Sequence, residues 1–254
     1  PLAGPGVLGV SAGAGLGVAL VIMTGIGAQT SAPAFLAAVI GASAVLLLAM
    51  AANRIVGQPV VLLVLGLLFG YAANAVTTLL MATSPAEGIQ RYVVWSFGSF
   101  AQPPGILPVA LPVLATLVAA AMVATAPRLD ALLLGPNYAE TSGIHAKRLQ
   151  GLLIVIAGAL TGLVTAMTGP IGFLGVAVPH LARGYLRSSI HRALVPTVAT
   201  LGAALAILAD LVARLPGSDR VLPLNAVMSL IGGPVVLFVV LRPSGSAGVG
   251  ELEL

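Results

Sequence analysis

The first 53 residues contain no Asp, Glu, Lys, Arg or His. No water-soluble domain opens that way, because a soluble surface draws about a quarter of a domain's residues from the charged types. The rest of the chain keeps the pattern: 7% of its 254 residues are charged and 59% are hydrophobic. The apolar residues lie in long unbroken blocks, and the mean hydropathy is +1.11. These blocks exclude a soluble enzyme, a nucleic-acid-binding domain and a disordered tail, and leave a polytopic membrane protein. The pI near 10.1 does not bring nucleic acid back as a partner, since it rests on a net charge of only +4. The chain has no cysteine, hence no disulfide framework and no thiolate metal site.

A membrane helix needs about 20 apolar residues. Polar breaks and Gly/Pro turns divide the chain into about eight such spans. They lie near residues 7–25, 34–52, 58–82, 107–125, 149–168, 174–184, 193–213 and 223–241. Barrel strands alternate polar and apolar residues over about 9–11 positions, whereas these blocks are continuous and mostly twice as long. Backbone groups in lipid must be satisfied within the segment, so the predicted fold is an all-α membrane helix bundle. Residues 92–105, with YVVWSFGSF and QPPG, read as a short interfacial helix and a turn. Glycine is abundant, at 31, and Gly13–Gly17 and the Ala/Gly runs read as faces where helices approach closely. The uncharged start at Pro1 reads as a fragment that has lost its N-terminus, with residues 1–254 forming one transmembrane domain.

Basic residues orient the bundle. One set of alternating connections holds Arg54, Arg128, Lys147, Arg148, Arg183, Arg187, Arg192 and Arg242; the other holds Arg91, Arg214 and Arg220. Eight against three places the first set, and both ends of the chain, on the cytoplasmic side.

The inventory of chemical groups is small. Asp130, Asp210 and Asp219 are scattered, so no paired-Asp motif for diphosphate–Mg²⁺ chemistry exists, and HExxH is absent. Ser43 among Ala and Gly reads as packing. Lys147 is the only lysine and follows no glycine loop, so there is no Walker motif. Any ATP hydrolysis belongs to another chain. A proton- or sodium-driven carrier needs ionisable groups at mid-membrane, and the spans hold almost none. Asp210 and Arg214 share a helix face as an i,i+4 pair, and His180 follows Pro179, where a kink frees a carbonyl. A path without buried charge suits a bulky solute passed through a conduit. The rival reading is an ion-coupled secondary transporter of a small organic solute.

Residues 127–148 form the most polar stretch. Leu132–Gly135, then Tyr138–Ser142 ending at Gly143, reads as a short helix with a glycine stop, a folded cytoplasmic element that docks on a partner.

GPIGFLGVAVPHLAR (residues 169–183) closely resembles the signature of FecCD-like permeases, the type II ABC importers of iron–siderophores, haem and cobalamin. PLAGPGVLGVSAGAGLG (1–17), VVWSFGSF (93–100), LGPNYAETSGI (134–144), LADLVAR (208–214) and LPLNAVMSLIGGPVVLFVVLR (222–242) are similar to further motifs of that family, in the same order. The resemblance implies a ten-helix permease, of which this chain carries the third to tenth helices. It implies a multi-pass protein of the bacterial inner membrane that catalyses nothing and binds no cofactor. It works as a homodimer or with a second permease subunit, above two cytoplasmic ATP-binding subunits that hold ATP and Mg. A periplasmic or lipid-anchored substrate-binding protein docks outside.

The cargo implied is a metal chelate, a ferric siderophore first, with haem or cobalamin as alternatives. Leu134, Gly135, Ala139, Glu140 and Gly143 match the segment that couples to the ATPase. Arg214 matches an outer arginine that docks the binding protein. Gly169, Pro170, Gly172, Pro179 and His180 fall in the helices that move during translocation. The chain departs from the family at Pro136 and Asn137, where an acid is usual after the glycine, at Glu140 and Ser142, and at Val221 before Leu-Pro.

Overall fold

The computed structural model describes residues 9–25, 32–56, 59–100, 107–186, 188–214 and 221–241. Its regular elements are all helices: α1 (Val10–Thr24), α2 (Ala32–Val56), α3 (Pro59–Thr83), α4 (Ala86–Ser96), α5 (Leu107–Ala124), α6 (Ala126–Leu133), α7 (Pro136–Thr141), α8 (Ala146–Thr168), α9 (Leu174–Leu186), α10 (His191–Ala213) and α11 (Leu224–Leu241). Among the described residues there is no strand.

The long helices are apolar nearly all round. Large side chains such as Ile40, Leu79, Ile207 and Leu230 point outward, each more than half exposed. Water would not tolerate such a surface, and a helix of this kind belongs in hydrocarbon. The chain is a multi-pass membrane protein. The eight expected segments correspond to α1, α2, α3, α5, α8, α9, α10 and α11, but they are not eight equal crossings. Among the described residues, Pro33–Ala51, Val64–Thr83, Ala146–Thr168 and His191–Ala213 are each long and apolar enough to cross alone. Pro112–Ala124 and Ala126–Leu133 reach that length and apolarity only when taken together, and they are bent from each other by 62°. The bend lies where Pro127 can neither donate to the Val123 carbonyl nor fit against it. Thr125 there leaves helical geometry. Helix α1 has 15 residues and α9 has 13, which at 1.5 Å per residue fall short of a hydrocarbon layer of about 30 Å. Helix α4 begins at Ala86, earlier than the interfacial helix expected at 92. The polar residues Glu87 and Arg91 are its exposed face, joined i,i+4 at 2.6 Å.

Small residues set the helix spacing. One core gathers Val10, Ala14 and Val18 of α1, Ala38, Ala42, Leu46 and Ala49 of α2, and Ala166 of α8. At its centre the α1 and α2 backbones touch. A Cβ on Gly13 would lie 2.5 Å from the Gly41 carbonyl oxygen, and Cβ atoms on Gly41 and Gly17 would collide with the carbonyls of Gly13 and Ala37. Without hydrophobic drive between helices in lipid, such contact is what holds them. A second, separate core joins Ala209 and Ala213 of α10 to Leu224, Val227 and Met228 of α11.

Polar groups within the helices bond locally, as when Thr77 Oγ1 donates to the Ala73 carbonyl at 2.9 Å. Backbone links gather the ends of four helices at one level of the bundle. Ser99 N–H donates to Thr168 O, Asn225 N–H to Phe97 O, and Leu222 N–H to Ala213 O, at 2.7–2.9 Å. The opposite level carries α6, α7 and the first turns of α8 and α10.

Candidate coupling and docking sites

Helix α6 ends in a turn in which Gly135 N–H donates to Leu132 O at 3.2 Å. Gly135 itself adopts φ 106°, ψ 156°, a conformation open essentially to glycine. Helix α7 then runs from Pro136 to Thr141. Its first position suits proline, whose missing N–H would have had no intrahelical partner. It closes in a Schellman turn: Ile144 N–H donates to Ala139 O at 2.9 Å and Gly143 N–H to Glu140 O at 3.0 Å. Gly143 has φ 78° with open space around the position a Cβ would take. The glycine stop expected there is present, and the expected single helix is two, α6 and α7, because Gly135 breaks it.

Within this element Ala139 is fully buried and is the inward anchor, while Leu134, 67% exposed, Tyr138 and Glu140 point outward. Beside it lies a recess of about 430 Å³ lined by Glu140, Gly143, His145, Ala146, Lys147 and Arg148. Two adjacent cations and one acid make its wall predominantly basic.

Sequence reasoning missed how the element is tied down. Asp130 Oδ1 on α6 accepts from the backbone N–H of His191 at 2.9 Å and from His191 Nδ1 at 2.6 Å. The backbone N–H first, then the imidazole, hold the Asp130 carboxyl below the usual carboxylate range. The partners lie 61 residues apart, and no motif spacing announces such a pair.

At the other level, Arg214 caps the C-terminal end of α10, and its Nε donates to Asp210 Oδ2 at 2.7 Å. The expected i,i+4 pair is formed. The Arg214 side chain is nonetheless 54% exposed, against 28% for Asp210, so its positive charge faces the surroundings.

Residues 169–173 join α8 to α9 and are docked on other elements. Gly169 has φ 74°, and a Cβ there would lie 2.5 Å from the Trp95 carbonyl. Gly172 N–H donates to the Asn225 side-chain oxygen of α11 at 3.0 Å. Phe173 has φ 64°, the one positive φ outside glycine among the described residues. That conformation costs an L-residue roughly 1–2 kcal/mol. A Cβ on Gly232 of α11 would lie 2.6 Å from Phe173 Cβ, so α11 has a glycine where this side chain leaves its backbone. Pro170 lies in this link, and Pro179 lies inside α9. His180 Nδ1 donates to the Val176 carbonyl at 2.8 Å, which satisfies it within its own helix. Asn225 and Phe173 were invisible to sequence reasoning, since nothing in the pattern pairs 172 with 225. Among the described residues, no group of three or more His, Cys, Asp or Glu could hold a metal ion.

The chain as a whole is similar to known transport proteins. The family model of the FecCD transport family matches residues 1–242. The vitamin B12 import system permease protein BtuC of Vibrio cholerae serotype O1 is 35% identical over 246 residues, 95% of this chain and 72% of that protein. BtuC of Salmonella typhimurium is 31% identical over 246 residues, 95% of this chain and 74% of its own. A solved inward-facing conformation of a transporter assigned to the metal-chelate ABC type superposes with a TM-score of 0.85 at 27% identity, covering 94% of this chain and 76% of the other.

Proposed function

Because the chain belongs to the FecCD transport family, we propose that it is the membrane-spanning permease subunit of an ABC importer that brings a metal chelate across the bacterial inner membrane. The observation that carries this reading is the family match over nearly the whole chain, on a helix bundle with the short α6–α7 element at one level and the exposed Arg214 at the other. The cargo favoured by the BtuC relatives is a corrinoid such as cobalamin, ahead of the ferric siderophore that the resemblance alone put first. The apolar, charge-poor helix faces fit a large solute passed along a conduit rather than an ion bound within it.

The chain pairs with a second copy or a sister permease and rests on two ATP-binding subunits, which supply ATP, Mg and hydrolysis. Leu134, Gly135, Ala139, Glu140 and Gly143 form the face that meets the ATPase. Ala139 anchors α7, the glycines set its angle, and the exposed Leu134 and Glu140 make the contact. Arg214 meets a carboxylate of the substrate-binding protein, for which its exposed guanidinium is suited. Closure of the ATPase pair pushes on α7 and re-tilts the helices, with Gly169, Pro170 and Gly172 at the hinge between α8 and α9 and Pro179 and His180 in the helix that follows it.

The test is reconstitution in liposomes with the ATPase and binding protein encoded beside it. ATP-dependent uptake of cyanocobalamin or of a ferric siderophore, insensitive to protonophores, supports the importer. Uptake driven by an ion gradient without ATP would establish the secondary-transporter alternative instead.

A further inference from the structure

Among the described residues there are three ion pairs. Glu87–Arg91 and Asp210–Arg214 are i,i+4 contacts within one helix, whereas Asp130–His191 joins two helices. Its place matters. Helix α6, which carries Asp130, leads through Gly135 directly into α7, and α10, which begins at His191, ends 23 residues later beside Arg214. One carboxylate therefore links the segment assigned to the ATPase with the helix that reaches the opposite face.

The first turn of α10 depends on outside help. Its N-cap residue, Ile190, offers no side-chain cap. Pro196 lies inside the helix and has no N–H to give the Arg192 carbonyl four residues earlier. The opening turn thus lacks one backbone bond to the rest of its own helix. Asp130 fills the vacant cap from a different element, accepting the His191 N–H and placing a negative charge at the positive end of the helix dipole. The imidazole adds a second hydrogen bond to the same oxygen. At its far end α10 is packed into the α11 core through Ala209 and Ala213. A displacement of α6 along this clasp moves the start of α10, and the packed remainder follows.

We propose that Asp130 is a positioning residue which, with His191, transmits movement of the α6–α7 segment into α10 and so couples ATP hydrolysis to the outer face. This rests on the importer reading above. It assigns Asp130 no contact with cargo or nucleotide.

The experiment uses the full importer in liposomes, with cyanocobalamin and ferric desferrioxamine as probes, and reads uptake per ATP hydrolysed. Asp130→Ala, which removes both hydrogen bonds, is expected to assemble and hydrolyse ATP while uptake per ATP falls at least fivefold. Asp130→Asn keeps an acceptor at Oδ1 and should stay within about twofold of wild type. His191→Ala keeps the backbone bond and loses the imidazole; it should lose at least twofold, and it provides the decisive reading if Asp130→Ala does not accumulate. A merely structural clasp would lower the amount of folded protein and leave uptake per ATP unchanged in Asp130→Ala and His191→Ala, which would overturn the inference. If the wild-type importer carries neither probe with ATP, the importer reading falls, and this inference with it.

Discussion

Gly41→Ala adds a single methyl group where the α1 and α2 backbones touch. The new Cβ would collide with the Gly13 carbonyl oxygen, lie 3.0 Å from the Gly13 carbonyl carbon and 3.2 Å from the Gly17 nitrogen. Ordinary contact for such an atom begins at 3.4 Å. All three neighbours are backbone, so no side chain can rotate away, and α1 must retreat from α2 along the seam of Ala14, Ala38 and Ala42. Overpacking of this sort costs typically about 1–3 kcal/mol. Replacing a mid-helix glycine by alanine also gains up to about 1 kcal/mol of helix propensity, which obscures the measurement unless it is subtracted. Gly151→Ala does that: Gly151 is inside α8, with open space where its Cβ would go. The propensity gain is common to both variants, so their difference reads the steric effect alone, about 1–3 kcal/mol, or roughly five- to more than a hundredfold in the folded ratio. SDS-titrated unfolding in mixed micelles, followed by the single tryptophan, measures it. Equal stability of Gly41→Ala and Gly151→Ala would refute the claim that direct backbone contact sets the α1–α2 spacing.

Gly143→Val places a β-branched residue at φ 78° and should weaken the α7 turn by about 1–2 kcal/mol, lowering coupled uptake about tenfold, whereas Gly143→Asn, which tolerates that conformation, should lose far less; limited proteolysis at 135–145 and uptake check both. Arg214→Glu should leave assembly and basal ATP hydrolysis intact and weaken capture of the substrate-binding protein by about thirtyfold, the equivalent of about 2 kcal/mol, in a low-salt titration. Because folding lowers the Asp130 pKa below its ordinary 3.8, its stabilising contribution is complete above that value and is lost as pH falls through the folded value. A melting profile below pH 4 should therefore flatten in Asp130→Asn. Impermeant thiol reagents applied to spheroplasts should label Val221→Cys, at an exposed position, and spare Ser142→Cys, a clean contrast in a chain without cysteine.

What could be read from the sequence was what repeats or is local. Apolar blocks made the helices legible, and glycine at 143 after a polar helical stretch made the Schellman turn legible, since both rest on neighbouring residues. Helix α4 starts before the expected 92 because the polar residues Glu87 and Arg91 are themselves helical, and their i,i+4 spacing marks one helix face. The short span at 174–184 is α9, whereas the docking of the 169–173 link on Asn225 is a tertiary fact that a Gly/Pro break does not announce. The Asp130–His191 clasp and the fit of Phe173 against Gly232 depend on elements far apart in the chain, where periodicity carries no information. Family motifs placed Arg214 and the glycines of 134–144, but said nothing of the acid that ties α6 to α10.

The two glycines around α7 have a consequence for modularity. Gly135 and Gly143 carry the unusual backbone angles, and from 137 to 142 Ala139 is the one buried residue. The other residues from 137 to 142 are therefore released from the demands of the fold. On the ATPase-docking role proposed above, they would form an address that can be rewritten without rebuilding the membrane domain. Exchanging Asn137, Tyr138, Glu140, Thr141 and Ser142 for the residues of another permease should redirect the chain to that permease's ATPase, while the bundle above remains as it is.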